Sequence, residues 1–182
     1  MKAAILYWSK TGNTEKVAGA IRRALEEAGA EVFYKRTDDA DDVDFFDYDV
    51  VFVGFPSYQW APPRPVDDFL VSKFSAYHSQ GKVRVGAPRV PGRNALIFCT
   101  YSGTHTGLNE AVPATKRAGQ FFEHLGFAVL GEWHVVGEFH GSEELSTKGR
   151  LGDIRGRPNE DDLKKVRGDV ARVLSRISAT RG

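Results

Sequence analysis

Six apolar residues in succession, Ala3-Ala4-Ile5-Leu6-Tyr7-Trp8, follow Met1-Lys2 and end at Ser9-Lys10. A run of that length without polar alternation predicts a strand covered on both faces, as strands of a parallel sheet are. From Thr14 the period changes. Val17, Ile21, Ala24, Leu25 and Ala28 recur on one stripe, Lys16, Arg22, Arg23, Glu26 and Glu27 lie largely off it, and Gly29 closes the segment. That spacing predicts an amphipathic helix with a glycine stop. A shorter strand is expected over Glu31–Lys35 and a further buried one over Val50–Gly54. The aspartates between them, Asp38, Asp39, Asp41, Asp42, Asp44, Asp47 and Asp49, read as a solvated acidic loop.

Pro56, Pro62, Pro63 and Pro65 make 55–65 a stiff loop, with a helix expected from Arg64 to Phe74. A polar stretch, Ser79 to Arg93, precedes a strand at Ala95–Thr100. A Gly-rich turn at 102–107 then leads into a helix ending near Leu125-Gly126. Ala128–Val136 reads as a fifth strand. Glu160–Ile177 reads as a closing amphipathic helix carrying Leu163, Val166, Val170, Val173, Leu174 and Ile177. Strands alternating with helices imply right-handed βαβ crossovers and the α/β class. No repeat or linker interrupts the pattern, so a single domain over 1–182 is expected, with an elaborated loop at about 137–158.

Composition narrows the function classes. With 25 Lys+Arg against 24 Asp+Glu the net charge is +1, which argues against nucleic acid as a partner. Cys99 is alone, which excludes an intramolecular disulfide and a cysteine-rich metal site and fits a reducing compartment. The first apolar run is too short for a signal or membrane segment. A soluble, cytoplasmic protein without a membrane partner is therefore expected. Cys99 itself, at the end of a buried strand, reads as a packing residue. His134, Glu138 and His140 share one face only if their strand continues past Gly137 and Gly141, and they are too few to predict a metal site.

The chemistry concentrates after the first strand, at Ser9-Lys10-Thr11-Gly12-Asn13-Thr14. A loop that opens a helix offers unpaired N–H groups and the positive end of the helix dipole, and three hydroxyls stand ready to add donors. Gly12 permits a positive φ, and Asn13 tolerates unusual backbone geometry while carrying a side-chain amide. The reading is a phosphate cradle. Neither G-x-x-x-x-G-K-[ST] nor G-x-G-x-x-G follows this strand, which disfavours nucleoside triphosphates and dinucleotides. Simple N-capping is the plainer alternative.

The 9–14 loop resembles the [ST]-x-T-G-x-T first loop of the flavodoxin-like family. The resemblance implies a three-layer sandwich around a five-stranded parallel sheet of order 2-1-3-4-5. It also implies FMN at the carboxyl ends of the strands, with its phosphate at 9–14. Two more loops match by position. Pro56-Ser57-Tyr58-Gln59-Trp60 follows the third strand, where the family packs an aromatic on the flavin. Thr100-Tyr101-Ser102-Gly103, with His105 and Gly107, follows the fourth, where the family supplies a second aromatic and backbone donors. Trp60 and Tyr101 are the expected stacking residues, with Tyr58 the substitute for Trp60. His105 is placed either at the pyrimidine edge or in solvent.

The chain departs from the family pattern in three ways. It lacks the acidic surface usual for the electron carriers, and Lys148, Arg150, Arg155 and Arg157 make 137–158 basic, which would suit an acidic partner. Between Phe55 and Ala61 there is no Gly, Asn or Asp to ease the peptide rotation by which the carriers stabilise the flavin semiquinone, so weaker stabilisation is expected. The 137–158 segment is long enough for a lid, a docking surface or a dimer contact. Two functions stay open at this point. One is FMN-based electron transfer with a redox partner protein; the other is an NAD(P)H-dependent quinone or flavin reductase. Either suits a monomer or a homodimer.

Overall fold

The computed structural model describes residues 1–179. Its strands are β1 (Lys2–Tyr7), β2 (Glu31–Arg36), β3 (Val50–Pro56), β4 (Asn94–Tyr101) and β5 (Ala128–Val136). The helices are α1 (Asn13–Glu27), α2 (Arg64–Ser79), α3 (Val112–His124), the short α4 (Glu143–Thr147) and α5 (Glu160–Ala179). The strands form one sheet in the order β2-β1-β3-β4-β5, every neighbouring pair parallel, as the resemblance implied. The continuous apolar runs of β1, β3 and β4 suit them to the interior of the sheet, while the partly exposed β2 and β5 form its edges.

Alternation along each strand sorts the core into two layers. Ala4, Leu6, Val53 and Ile97 face α2 and α3, where they meet Leu70, Ala118 and Phe122. Ile5, Phe52, Leu96 and Phe98 face α1 and α5, where they meet Ile21, Val166 and Val170. Gly54 is required where it stands, because a Cβ there would lie 1.9 Å from the Phe98 ring. Among the described residues no helix is long and apolar enough to cross a membrane.

The acidic segment between β2 and β3 is not the solvated loop expected. It forms short 3-10 turns at Thr37–Asp39 and Phe45–Asp47 and buries Ala40, Val43 and Phe45. Phe45 sits among Phe69, Tyr77, Phe121 and Phe122. Asp44 accepts from Lys82 at 2.7 Å, from the Phe46 amide at 3.0 Å and from the Tyr77 hydroxyl at 3.2 Å. The charges concealed a plug of apolar residues. The same plug explains why α2 runs past Phe74 to Ser79: Tyr77 lies beyond Phe74 and is buried against Phe45.

Because all strands run the same way, the loops after β1, β3, β4 and β5 share one end of the sheet. The chain winds from β1 to β2 on one side and continues at β3 on the other, so a crevice opens at that end where the order reverses.

Candidate functional site

The loop after β1 is pinned before it reaches any ligand. Gly12, the residue that caps α1, adopts φ 92° and has no side-chain cap. Its amide donates to Ser9 Oγ at 3.1 Å, and its carbonyl accepts from Lys16 N at 2.9 Å. The N–H groups of Lys10, Thr11, Asn13, Thr14 and Glu15 find no acceptor among the described residues, although Asn13 and Thr14 are buried. Buried donors left unpaired are costly, and this many at a helix start favour an external anion over plain N-capping. Thr14 Oγ1 lies 2.8 Å from Thr100 Oγ1. One hydrogen occupies that contact, so the pair retains a second for another acceptor. Arg36, at the end of β2, donates to the Ser9 carbonyl at 3.0 Å and to Asp38 at 3.0 Å. Sequence reasoning missed this brace, since only the β1–β2 register brings it beside the loop.

A cavity of about 760 Å³ opens against this loop, within the size range of small-molecule sites. Ser9, Lys10, Thr11, Asn13 and Thr14 line it on one side, Pro56, Ser57, Tyr58 and Gln59 on another, and Thr100, Tyr101, Ser102 and His105 on a third. Ser57 ties the second and third loops together: its amide donates to Thr100 O at 2.8 Å and its hydroxyl to Glu110 O. Glu110 Oε1 in turn accepts from the amides of His105 and Thr106, both at 2.6 Å. Glu110 and Thr104 line the cavity too and were not foreseen.

Four of the expected residues do not line it: Gly12, Trp60, Gly103 and Gly107. Gly12 acts through its backbone. Trp60 is 63% exposed and Tyr58 takes the inner position, edge-on to Trp8 at 5.9 Å between centroids. The cause is a tight two-residue turn. Tyr58 and Ala61 exchange both backbone bonds at 3.0 Å while Gln59 and Trp60 stand at φ 49° and 64°. Two residues with side chains thus hold positive φ in a segment that has no Gly, Asn or Asp. Gly103 and Gly107 serve a neighbouring segment: a Cβ on Gly103 would meet Leu151 at 2.8 Å.

That neighbour is the excursion at 137–158. Gly137 N donates to Tyr101 O at 2.9 Å, extending the sheet, and Glu138 N donates to Arg157 O at 2.8 Å, closing the neck. Inside, Ser146 and Ile154 are buried, Ser146 Oγ bonding both the amide and the carbonyl of Phe139 at 3.1 Å. Arg150 N then docks on Thr104 O at 2.8 Å. Glu138, Phe139, His140 and Leu145 complete the cavity wall. The helical turn was legible in Ser142-Glu143-Glu144, a cap residue followed by acids, since Ser142 Oγ accepts from Leu145 N at 3.3 Å.

The excursion is not the basic patch expected. Lys148 pairs with Glu144 at 3.6 Å, Arg155 with Asp153 at 2.6 Å and with Glu143 at 3.3 Å, and Arg157 with Asp162. Arg150 alone of the four has no ion pair among the described residues. The side-chain amide of Asn13 is likewise committed to the excursion, donating to Glu138 O at 2.9 Å. His134, Glu138 and His140 diverge. His134 meets Thr115 Oγ1 at 3.0 Å, Glu138 Oε2 meets Gly156 N at 2.8 Å, and His140 meets Asn13. No cluster able to hold a metal occurs among the described residues. Cys99 is fully buried, and burial pushes its thiol pKa up, as suits a packing residue.

The donor set fits a phosphate ester: neutral N–H groups and hydroxyls converge where the helix dipole is positive, beside Tyr58 and Tyr101, which suit a flat aromatic body. The comparisons agree with that chemistry. The family model described as Flavodoxin matches residues 5–166. The chain is 32% identical over 127 residues to the flavodoxin of Megasphaera elsdenii, covering 70% of this chain and 80% of that one. It is 40% identical over 70 residues to a probable flavodoxin 2 of Bacillus subtilis (strain 168), covering 38% of this chain and 45% of that one. The solved flavodoxin of Streptococcus pneumonia TIGR4 superposes with a TM-score of 0.68 at 18% identity, over 97% of this chain and 99% of the other. On these matches the chain belongs to the flavodoxin family of FMN-binding electron-transfer proteins.

Proposed function

We propose that FMN occupies the cavity at the carboxyl end of the sheet, with its phosphate on the 9–15 loop and its ring system between Tyr58 and Tyr101. The single observation that carries this is the run of five unpaired amides from Lys10 to Glu15, opening onto a cavity whose other walls are the two aromatic loops. Bound there, FMN supplies reversible electron acceptance and release. The residues do the rest. The amides and the Thr14–Thr100 hydroxyl pair donate to the phosphate. Arg36 and Ser9 hold the loop in shape before the ligand arrives. The Ser57 and Glu110 bonds hold the aromatic loops at a set spacing, which limits reorganisation when electrons move. The site residues so proposed are Ser9 to Thr14, Ser57, Tyr58, Thr100, Tyr101 and Ser102, with Thr104, Glu110 and Glu138 added.

The partner in this reading is another redox protein that reaches the flavin edge past Tyr58 and Trp60, both exposed at the rim. The near-balanced surface and the internally paired excursion leave no strong field to steer that encounter, so its rate should depend weakly on salt. The test is calorimetric titration of flavin-free chain with FMN, repeated for Thr11→Ala/Thr14→Ala. Losing two charge-assisted bonds of about 1.5–3 kcal/mol each should weaken binding by orders of magnitude. Unchanged affinity would mean the phosphate lies elsewhere.

A further inference from the structure

His140 belongs to none of the loops that the family resemblance assigns to the cofactor, yet it lines the cavity beside the amino end of α1. Asn13 Nδ2 donates to Glu138 O at 2.9 Å, which fixes the orientation of that amide and leaves Oδ1 facing His140 Nε2 at 3.4 Å. Oδ1 only accepts, so Nε2 carries the hydrogen in that contact and Nδ1 is left for a further partner. Nδ1 has no partner among the described residues. We propose that His140 is a phosphate-discriminating residue: held by Asn13 beside the 9–15 loop, its imidazolium selects the phosphorylated flavin over riboflavin. The inference rests on the reading that the FMN phosphate sits on that loop.

The consequence is a pH dependence of binding, not of fold. The second phosphate proton leaves near pH 6, so above about pH 7 the ligand is a dianion. A dianion beside the ring attracts the cationic imidazole and not the neutral one, so FMN affinity should fall as pH rises. The other titratable side chains lining the cavity are Lys10, Glu138, Glu110, His105, Tyr58 and Tyr101. On α1, Glu15 is engaged by the Tyr7 hydroxyl at 3.0 Å; on α4, Glu143 and Glu144 pair with Arg155 and Lys148. Burial pushes the Tyr58 and Tyr101 phenols further up. Of all these, His105 is the other imidazole, which makes it the control.

The experiment titrates flavin-free full-length chain with FMN and with riboflavin at about pH 6.5 and about pH 8.5, for the unchanged chain, His140→Gln and His105→Gln. At the lower pH, His140→Gln should weaken FMN about fivefold, the scale of an exposed ion pair, and leave riboflavin unchanged. The fall in FMN affinity between the two pH values should vanish in His140→Gln and persist in His105→Gln. An FMN affinity in His140→Gln equal to the parent's, an equal loss for both flavins, or a pH slope that survives the change would each overturn the proposal. If the unchanged chain takes up neither flavin, the site assignment itself fails and the role of His140 goes with it.

Discussion

Gln59 and Trp60 adopt a backbone conformation that side chains disfavour, and they do so at the rim of the cofactor cavity. The reciprocal bonds between Tyr58 and Ala61 hold them there. A left-handed residue with a Cβ costs about 1–2 kcal/mol. Gln59→Gly should therefore raise the unfolding free energy of the flavin-free chain, by about 1 kcal/mol after the greater freedom of glycine in the unfolded chain is subtracted. Urea denaturation followed by far-UV circular dichroism measures it; a loss of stability instead would show the turn to be unstrained. The same geometry places Trp60, the bulkier ring, outside the cavity lining that Tyr58 joins. A tight turn separates Tyr58 from Trp60 in direction, and no local propensity of Gln-Trp predicts such a turn.

At the scale of elements, the excursion at 137–158 behaves as a docked subunit of structure with its own small interior. Ser146 and Ile154 are buried, while most of the segment is exposed. Ile154→Ala removes its main apolar anchor, at a cost of about 2–4 kcal/mol if the gap does not collapse. That cost should appear locally. Hydrogen exchange should accelerate over 139–156 while the amides of β1, β3 and β4 keep their protection, and FMN should bind more weakly because Glu138 and His140 lose their fixed positions. Uniform acceleration across the sheet would show instead that the excursion supports the whole fold. The ion pairs of Arg155 and Lys148 are exposed and add little to this balance.

For the whole molecule, acid sensitivity follows from which carboxylates are held ionised. Burial works against the charge on Asp44, but Lys82, the Phe46 amide and the Tyr77 hydroxyl outweigh it and hold its pKa below the usual value. Asp162 is lowered in the same way by Arg157 and the Asn159 amide, again against burial. A lowered folded pKa means stability that is present above the unfolded value and lost as pH falls through the folded one. The loss should therefore set in below about pH 4 and deepen from there. Burial also pushes the His134 pKa down, so a gentler loss should begin as pH falls below about 6.5. Asp44→Asn should lower stability at neutral pH and flatten the steep acid limb, read from denaturation midpoints across pH. A parallel downward shift with the limb unchanged would remove Asp44 from the account.

Much of this protein was legible in one dimension, for stated reasons. Val50–Val53 and Ala95–Cys99 are continuous apolar runs, and only burial on both faces explains them, so the parallel sheet and its helical crossovers followed from periodicity. The phosphate loop was legible because its chemistry is local: strand, small donors and helix start are contiguous from Ser9 to Thr14. What contiguity cannot carry, only the tertiary structure decided. Arg36 reaches Ser9 through strand register, Phe45 enters the core through a segment masked by aspartates, and Leu151 and His140 close on loops far away in the chain. Hydrophobic periodicity reports which face an element buries, because burial acts on each residue separately. Which side chain meets which partner depends on distances between segments, and those exist only after the chain has folded.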